Sequence, residues 1–204
     1  FNWSLGIQWN VAVPNVGPEF GSPSVLAADP SSNVIVLQGT HPEAPNDGIV
    51  VQIAYDAMTG SQLWMKNRAF TGCLNTRFAA GEGMLVMMNM GTLQRSGIDL
   101  RTGQEKWLSE ATDAPWGMYS SMGINARGKT YVGAYDGYMR AFDSSTGKQV
   151  WEYFIGNSGL ETPYATWPMF NGPTIGGYVL FCGYSEHTPN TPLYRGAKTV
   201  ALDS

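Results

Sequence analysis

The residues able to hold a metal or move a proton gather in a few stretches. The chain has two histidines, His41 and His187, and each lies in a proline-containing segment beside carboxylates. His41 stands with Glu43 and Asp47 between Gly39 and Gly48, while His187 follows Glu186 between Gly183 and Gly196. Imidazole nitrogens with carboxylate oxygens are a ligand set for zinc or, with more oxygens, for calcium. The shared outline of the two segments suggests a common purpose. Neither has the i, i+2 or i, i+4 spacing that presents two ligands from one element, and proline-stiffened surface loops are the plainer reading. A second group, Glu161, Tyr164 and Trp167 with Asn157 and Asn171, offers rings for stacking and polar groups for hydrogen bonds to a planar or sugar ligand. A loop folded over its own small core would use the same residues. Arg77 is a candidate anion clamp, or a buried arginine satisfied by backbone carbonyls.

The elements that must position these residues are repeats. Ala54-Tyr55-Asp56-Ala57-Met58-Thr59-Gly60-Ser61-Gln62-Leu63-Trp64 returns as Gly97 to Trp107 and again as Ala141 to Trp151. Asp56, Thr59, Gly60 and Trp64 thus correspond to Asp99, Thr102, Gly103 and Trp107, and to Asp143, Thr146, Gly147 and Trp151. A fourth copy begins at Ala201-Leu202-Asp203-Ser204. The aspartates are separated by 43, 44 and 60 residues, and a period in the forties around a fixed turn indicates propeller blades. Asp-x-x-Thr-Gly predicts a tight turn, with Asp and Thr side chains bonding turn backbone and Gly supplying a positive φ. The tryptophan four residues later falls on the next strand. Large flat rings at the same place in successive blades are expected to pack on the neighbouring blade and lock the angle between them.

This A-x-D-x-x-T-G-x-x-x-W pattern resembles the tryptophan-docking repeat of the PQQ-like (quinoprotein) β-propeller family, over nearly the whole chain. Two copies match fully and the third departs only in having Gly97 for Ala. The resemblance implies an all-β propeller of four-stranded antiparallel blades. About four blades are present, read as an arc of a larger seven- or eight-bladed ring; closure into a small ring is the alternative. Residues 1–15 are expected to supply the outer strand of a preceding blade, with alternation through Trp9-Asn10-Val11-Ala12-Val13. Blades then occupy 16–66, 67–109, 110–153 and 154–204, the last without its outer strand. Strands over Ser24 to Ala27, Val34 to Leu37, Ile49 to Tyr55 and Gln62 to Met65 are the pattern for the first blade. Blade three is expected to open with a strand over Ser120 to Ile124 and to turn at Asp136-Gly137.

Two functions follow from the resemblance. One is a non-catalytic binding or scaffold module of an exported or cell-surface protein, similar to the assembly lipoprotein of the outer-membrane barrel-insertion machinery. Its partner would be another protein or the remaining blades of the same parent chain. The other is a fragment of a PQQ- and calcium-dependent dehydrogenase, with the quinone stacked on a Trp, calcium held by Glu, Asn and Asp, and an Asp as general base. The alcohol-oxidising branch carries adjacent cysteines, and this chain has no Cys-Cys pair and no C-x-x-C-H haem motif. The first reading is therefore preferred, with no catalytic residue assigned and no cofactor.

Composition agrees with many short strands. Of 204 residues, 43% are hydrophobic, 14% are charged, and 25 are glycine, which excludes a disordered chain and is long enough for a sizeable core. A net charge of −4 supplies no basic face for nucleic acid. No apolar run approaches the ~20 residues of a membrane-spanning helix. The chain starts at Phe1 and stops inside a repeat, and is read as a portion of a longer, processed protein. Asn2-Trp3-Ser4 is formally a glycosylation acceptor. Cys73 and Cys182 are read as two buried thiols, with a disulfide left open.

Overall fold

The computed structural model describes residues 6–14, 24–40, 49–69, 78–89, 91–112, 123–134, 136–154, 173–185 and 197–204. Among them the chain forms four antiparallel sheets in strict sequence order. The first contains β1 (Ser24–Asp29), β2 (Val34–Thr40), β3 (Ile49–Asp56) and β4 (Gln62–Ala69). The second contains β5 (Phe78–Gly81), β6 (Met84–Asn89), β7 (Gln94–Asp99) and β8 (Glu105–Leu108). The third contains β9 (Ile124–Ala126), β10 (Lys129–Gly133), β11 (Tyr138–Asp143) and β12 (Gln149–Phe154). The last has three strands, β13 (Thr174–Gly176), β14 (Val179–Ser185) and β15 (Ala197–Asp203). Among the described residues it has no fourth strand.

Short two-residue turns make these sheets meanders. Glu82-Gly83 and Arg127-Gly128 both take positive φ between the first and second strands of their sheets, the geometry that matches the twist of a hairpin. The Asp136-Gly137 turn also forms, with Gly137 at φ 84° and Tyr138 N donating to Asp136 Oδ1 at 3.1 Å. One expectation fails: the segment Trp9 to Val13 has no strand. Alternation alone misled, because no strand among the described residues pairs with that backbone. Of the strand expected to open blade three, residues 120–122 lie outside the described residues; Gly123 is not in a strand, and β9 begins at Ile124, ahead of the Arg127-Gly128 turn.

The sheets lie side by side like blades. First strands approach one another, β1 against β5 and β5 against β9, and Gly123 N donates to Phe78 O at 2.9 Å. The second and third blades therefore have a neighbour on each face, and their central strands are largely buried. Val51 to Tyr55 in β3 is a continuous buried run, which is why β-branched and aromatic residues do not alternate there with polar ones. Cores form between blades: Ala27, Val36, Ala54 and Trp64 pack with Leu85, Met87, Ile98 and Leu100, while Tyr131, Met139 and Ala141 pack with Leu180 and Cys182. Cys182 is a free buried thiol whose pKa burial pushes up to about 12. Cys73 lies outside the described residues.

A tryptophan clamps the first and second junctions between sheets. Trp64 Nε1 donates to Leu100 O at 2.8 Å and Trp107 Nε1 to Ser144 O at 2.8 Å. In both cases the acceptor is the carbonyl of the residue just after the next blade's turn aspartate. Trp9 does the same to Ala57 O at 2.8 Å, ahead of the first sheet. The N–H of that accepting residue is used as well: Ala57, Leu100 and Ser144 donate to Asn33, Gly83 and Gly128 within their own blades. One peptide unit therefore joins two hairpins and a ring.

The turn glycine is required twice. Gly103 has φ 64°, and a Cβ there would meet the Trp64 ring at 2.6 Å; Gly147 has φ 73° and would meet Trp107 at 2.3 Å. Every third-to-fourth strand pair also has a bulge beside the tryptophan, between Ala54 and Tyr55, Gly97 and Ile98, and Ala141 and Phe142. The small first residue of the repeat lies directly opposite the indole, Ala54 to Trp64, Gly97 to Trp107 and Ala141 to Trp151. At Gly97 the ring sits so close that a Cβ would fall 2.0 Å from it. The bulge adds local twist, and the small residue leaves the room for the ring.

These contacts separate two kinds of glycine. Gly128 has φ 70° with nothing within 4 Å of an added Cβ, so Gly128→Ala carries only the left-handed backbone cost of about 1–2 kcal/mol. Gly103→Ala adds displacement of the docked ring, about 1–3 kcal/mol more by the cost of overpacking. Urea unfolding of the two variants should order them so, with equal losses counting against docking as the clamp.

Candidate functional site

The repeat residues expected to form a docking turn are brought together at every complete copy. Asp143 Oδ1 accepts hydrogen bonds from Ser145 N at 2.9 Å, Ser145 Oγ at 2.6 Å, Thr146 N at 2.9 Å and Thr146 Oγ1 at 3.0 Å. Asp99 Oδ1 accepts from the amide and hydroxyl of Thr102, both at 2.9 Å. Asp56 Oδ1 accepts from Met58 N at 3.0 Å and Thr59 N at 3.1 Å, and its other oxygen meets Arg101 of the next blade at 3.2 Å. All three carboxyls are held below the ordinary carboxylate range. For Asp143 the leading cause is the Ser145 hydroxyl. For Asp99 and Asp56, partial desolvation is the largest single effect and pushes upward, but the combined donors outweigh it.

Between blades the clefts are polar as well as aromatic. In the first cleft Gln52, fully buried, donates to Gln38 Oε1 at 3.0 Å, lies against Met87 Sδ, and accepts from Arg68 Nε at 2.8 Å. Arg68 Nη2 then reaches Gly103 O at 2.7 Å. In the second cleft Arg95 and Arg140 face the same cavity of about 840 Å3, bordered by Thr112, Asp136, Phe142 and Glu152. Arg95 Nη1 donates to Thr112 Oγ1 at 3.1 Å, with its guanidinium 4.7 Å from the Phe142 ring centroid. Arg140 Nη2 meets Asp136 Oδ2 at 2.6 Å and its Nε lies 3.3 Å from Glu152 Oε2. Burial, and then the neighbouring Arg140, push the Arg95 pKa down to about 10.

Most of the residues singled out for chemistry in the sequence lie outside the described residues: His41, Glu43, Asp47, Arg77, Glu161, Tyr164, Trp167, Glu186 and His187. Among the described residues no cluster of three or more His, Cys, Asp or Glu could hold a metal ion. No helix among them is long and apolar enough to cross a membrane. Sequence reasoning missed Arg95, Arg140 and Asp136. A signal existed, because Arg95 occupies the position held by Gln52 and Met139 in the other blades, but a charge in one repeat reads as surface until the sheets are stacked.

Fanned four-stranded sheets clamped by indole on an Asp-x-x-Thr-Gly turn define the class as a β-propeller built from PQQ-like repeats. More particularly, the chain belongs to the family described as outer membrane protein assembly factor BamB, whose sequence model matches residues 8–201. The BamB structure from Moraxella catarrhalis superposes with a TM-score of 0.56 at 18% identity, covering 83% of this chain and 50% of that one. Quinohemoprotein alcohol dehydrogenase from Comamonas testosteroni superposes with a TM-score of 0.53 at 18% identity, covering 89% and 35%. Polyvinylalcohol dehydrogenase of Sphingopyxis sp. (strain 113P3) is 30% identical over 98 residues, 41% of this chain and 15% of that protein. The chain thus spans half or less of the length of these relatives.

The turn carboxylates set an acid limit on stability. A carboxyl whose folded pKa lies below its unfolded value of about 3.9 stabilises the fold at higher pH, and that contribution disappears as pH falls through the folded pKa. The melting temperature should therefore stay level from neutral pH to about 5 and fall below about 4. Asp143→Asn should flatten that fall, measured by circular dichroism across the pH series; an unchanged acid profile would show that the turn carboxylate does not set it.

Proposed function

We propose that the protein is a non-catalytic binding or scaffold module of an exported protein, placed in the periplasm or at the cell surface. The observation that carries this reading is the extent of the family match, which runs through all four sheets, whereas the dehydrogenase match takes in 98 residues. The last blade supports it. Leu180 and Cys182 face inward, but on the opposite side of the same strand Val179 and Phe181 are 37% and 46% exposed, next to Tyr178 at 70%. Apolar rings on an open sheet face fit coverage by a protein partner or by further blades of a parent chain. The stretches carrying His41, Glu43, Asp47, Glu186 and His187 are kept as metal candidates, and Arg77, Glu161, Tyr164 and Trp167 as ligand candidates, all outside the described residues.

A second reading, part of a PQQ- and calcium-dependent dehydrogenase, draws on the 30% identity to polyvinylalcohol dehydrogenase. Asp99, Asp136 and Asp143 are engaged in turns and an ion pair.

Titration with PQQ and calcium, followed by absorbance and native mass spectrometry, distinguishes the two. The scaffold reading expects no stoichiometric complex, and formation of one would replace it with the dehydrogenase. For the loops, calorimetry with zinc and with calcium is expected to give the same heats for the unsubstituted protein, His41→Ala and His187→Ala. Loss of a saturable heat in either variant would make the loops a metal site instead.

A further inference from the structure

The repeat allows one position to be compared across blades. The residue four before the turn aspartate is Gln52 in the first sheet, Arg95 in the second and Met139 in the third. The residue four after the docking tryptophan is Arg68 in the first and Ala111 in the second. In the first cleft the two positions complete each other, since Arg68 bonds both Gln52 and the carbonyl of Gly103. In the second cleft the outer arginine is gone, a cation stands at the inner position, and the space opposite Ala111 is open.

The donors in that space are not all used. Arg95 is 3% exposed and Arg140 is 9% exposed, yet Arg95 Nη2 and Arg140 Nη1 are buried with no hydrogen-bond partner. Asp136 is engaged by Arg140 and by the amide of Tyr138, and Glu152, 43% exposed, sits at the mouth. Arg95 has no carboxylate partner among the described residues. A buried N–H left without an acceptor costs about 1–3 kcal/mol, more when charged. Two such donors, on two like-charged groups lining one cavity, have the capacity to receive an anion.

We propose that the cleft between the second and third blades binds a carboxylate, received by Arg95 Nη2 and Arg140 Nη1. Planar guanidinium donors match the two oxygens of a carboxylate better than a point charge would. The volume of about 840 Å3 far exceeds one carboxylate group. The remainder, walled by Leu108, Ala111, Tyr138 and Phe142, accepts the carbon skeleton of a small organic acid or of an acidic peptide side chain. The site goes beyond the scaffold reading and holds whether or not the protein carries a quinone.

The test is calorimetry with succinate, with a blocked peptide containing one glutamate, and with inorganic phosphate. Saturable binding of succinate or the peptide is expected, weakened about tenfold or more in Arg95→Met and in the charge-preserving Arg140→Lys. Tighter peptide binding would name an acidic protein segment as the source, and tighter succinate binding a small acid. The carboxylate should also raise the melting temperature of the unsubstituted protein but not of Arg95→Met. Should Arg95→Met fail to fold, Arg140→Lys carries the comparison. The proposal is overturned if neither carboxylate binds at millimolar concentration, if both variants bind unchanged, or if phosphate binds as tightly as the carboxylates.

Discussion

Everything in this molecule hangs on one contact, an indole laid on the Thr-Gly turn of the next blade with its N–H on a turn carbonyl. A sheet of four short strands cannot bury both faces by itself, and a wide flat ring supplies area where the outer strands diverge. Trp64 and Trp107 are both nearly buried by it. The contact is also directional, because the hydrogen bond fixes ring orientation and so the angle between blades. Burial without the bond would leave that angle free; the bond without burial would be worth only about 1 kcal/mol.

A second tier of contacts runs nearer the first strands. Asp29 Oδ2 accepts from Gly83 N at 2.9 Å, Glu82 accepts from the amides of Arg127 and Gly128, and Arg127 donates to Gly177 O while stacking 3.9 Å over Tyr178. Each hairpin therefore holds the next, in steps of one blade. With the indole tier, the first two junctions are pinned at two radii, which resists hinging. Interactions that reach only the adjacent unit make stability a sum over junctions, so the terminal blade, exposed on its far face, has fewer of them.

Repetition frees the clefts to diverge. Once tryptophan, turn and bulge fix the spacing, positions between them can change type without altering the stack. Gln52, Arg95 and Met139 show the range: an amide closing a network, a cation beside another cation, and a thioether buried in an apolar core. Specific chemistry can thus arise at one junction of an otherwise uniform structure.

By itself, the sequence determined the blade repeat, the strand ladder around each turn and the role of the tryptophans, because those depend on local geometry recurring at a set interval. The tertiary structure alone decided that Trp9 to Val13 is no strand, since strand identity requires a partner that no short segment encodes. It alone explained the small residue at Ala54, Gly97 and Ala141, which faces an indole from the neighbouring strand across a bulge. Arg95 and Arg140 lie 45 residues apart in the chain, on different sheets, and only stacking brings their unpaired donors to one cavity.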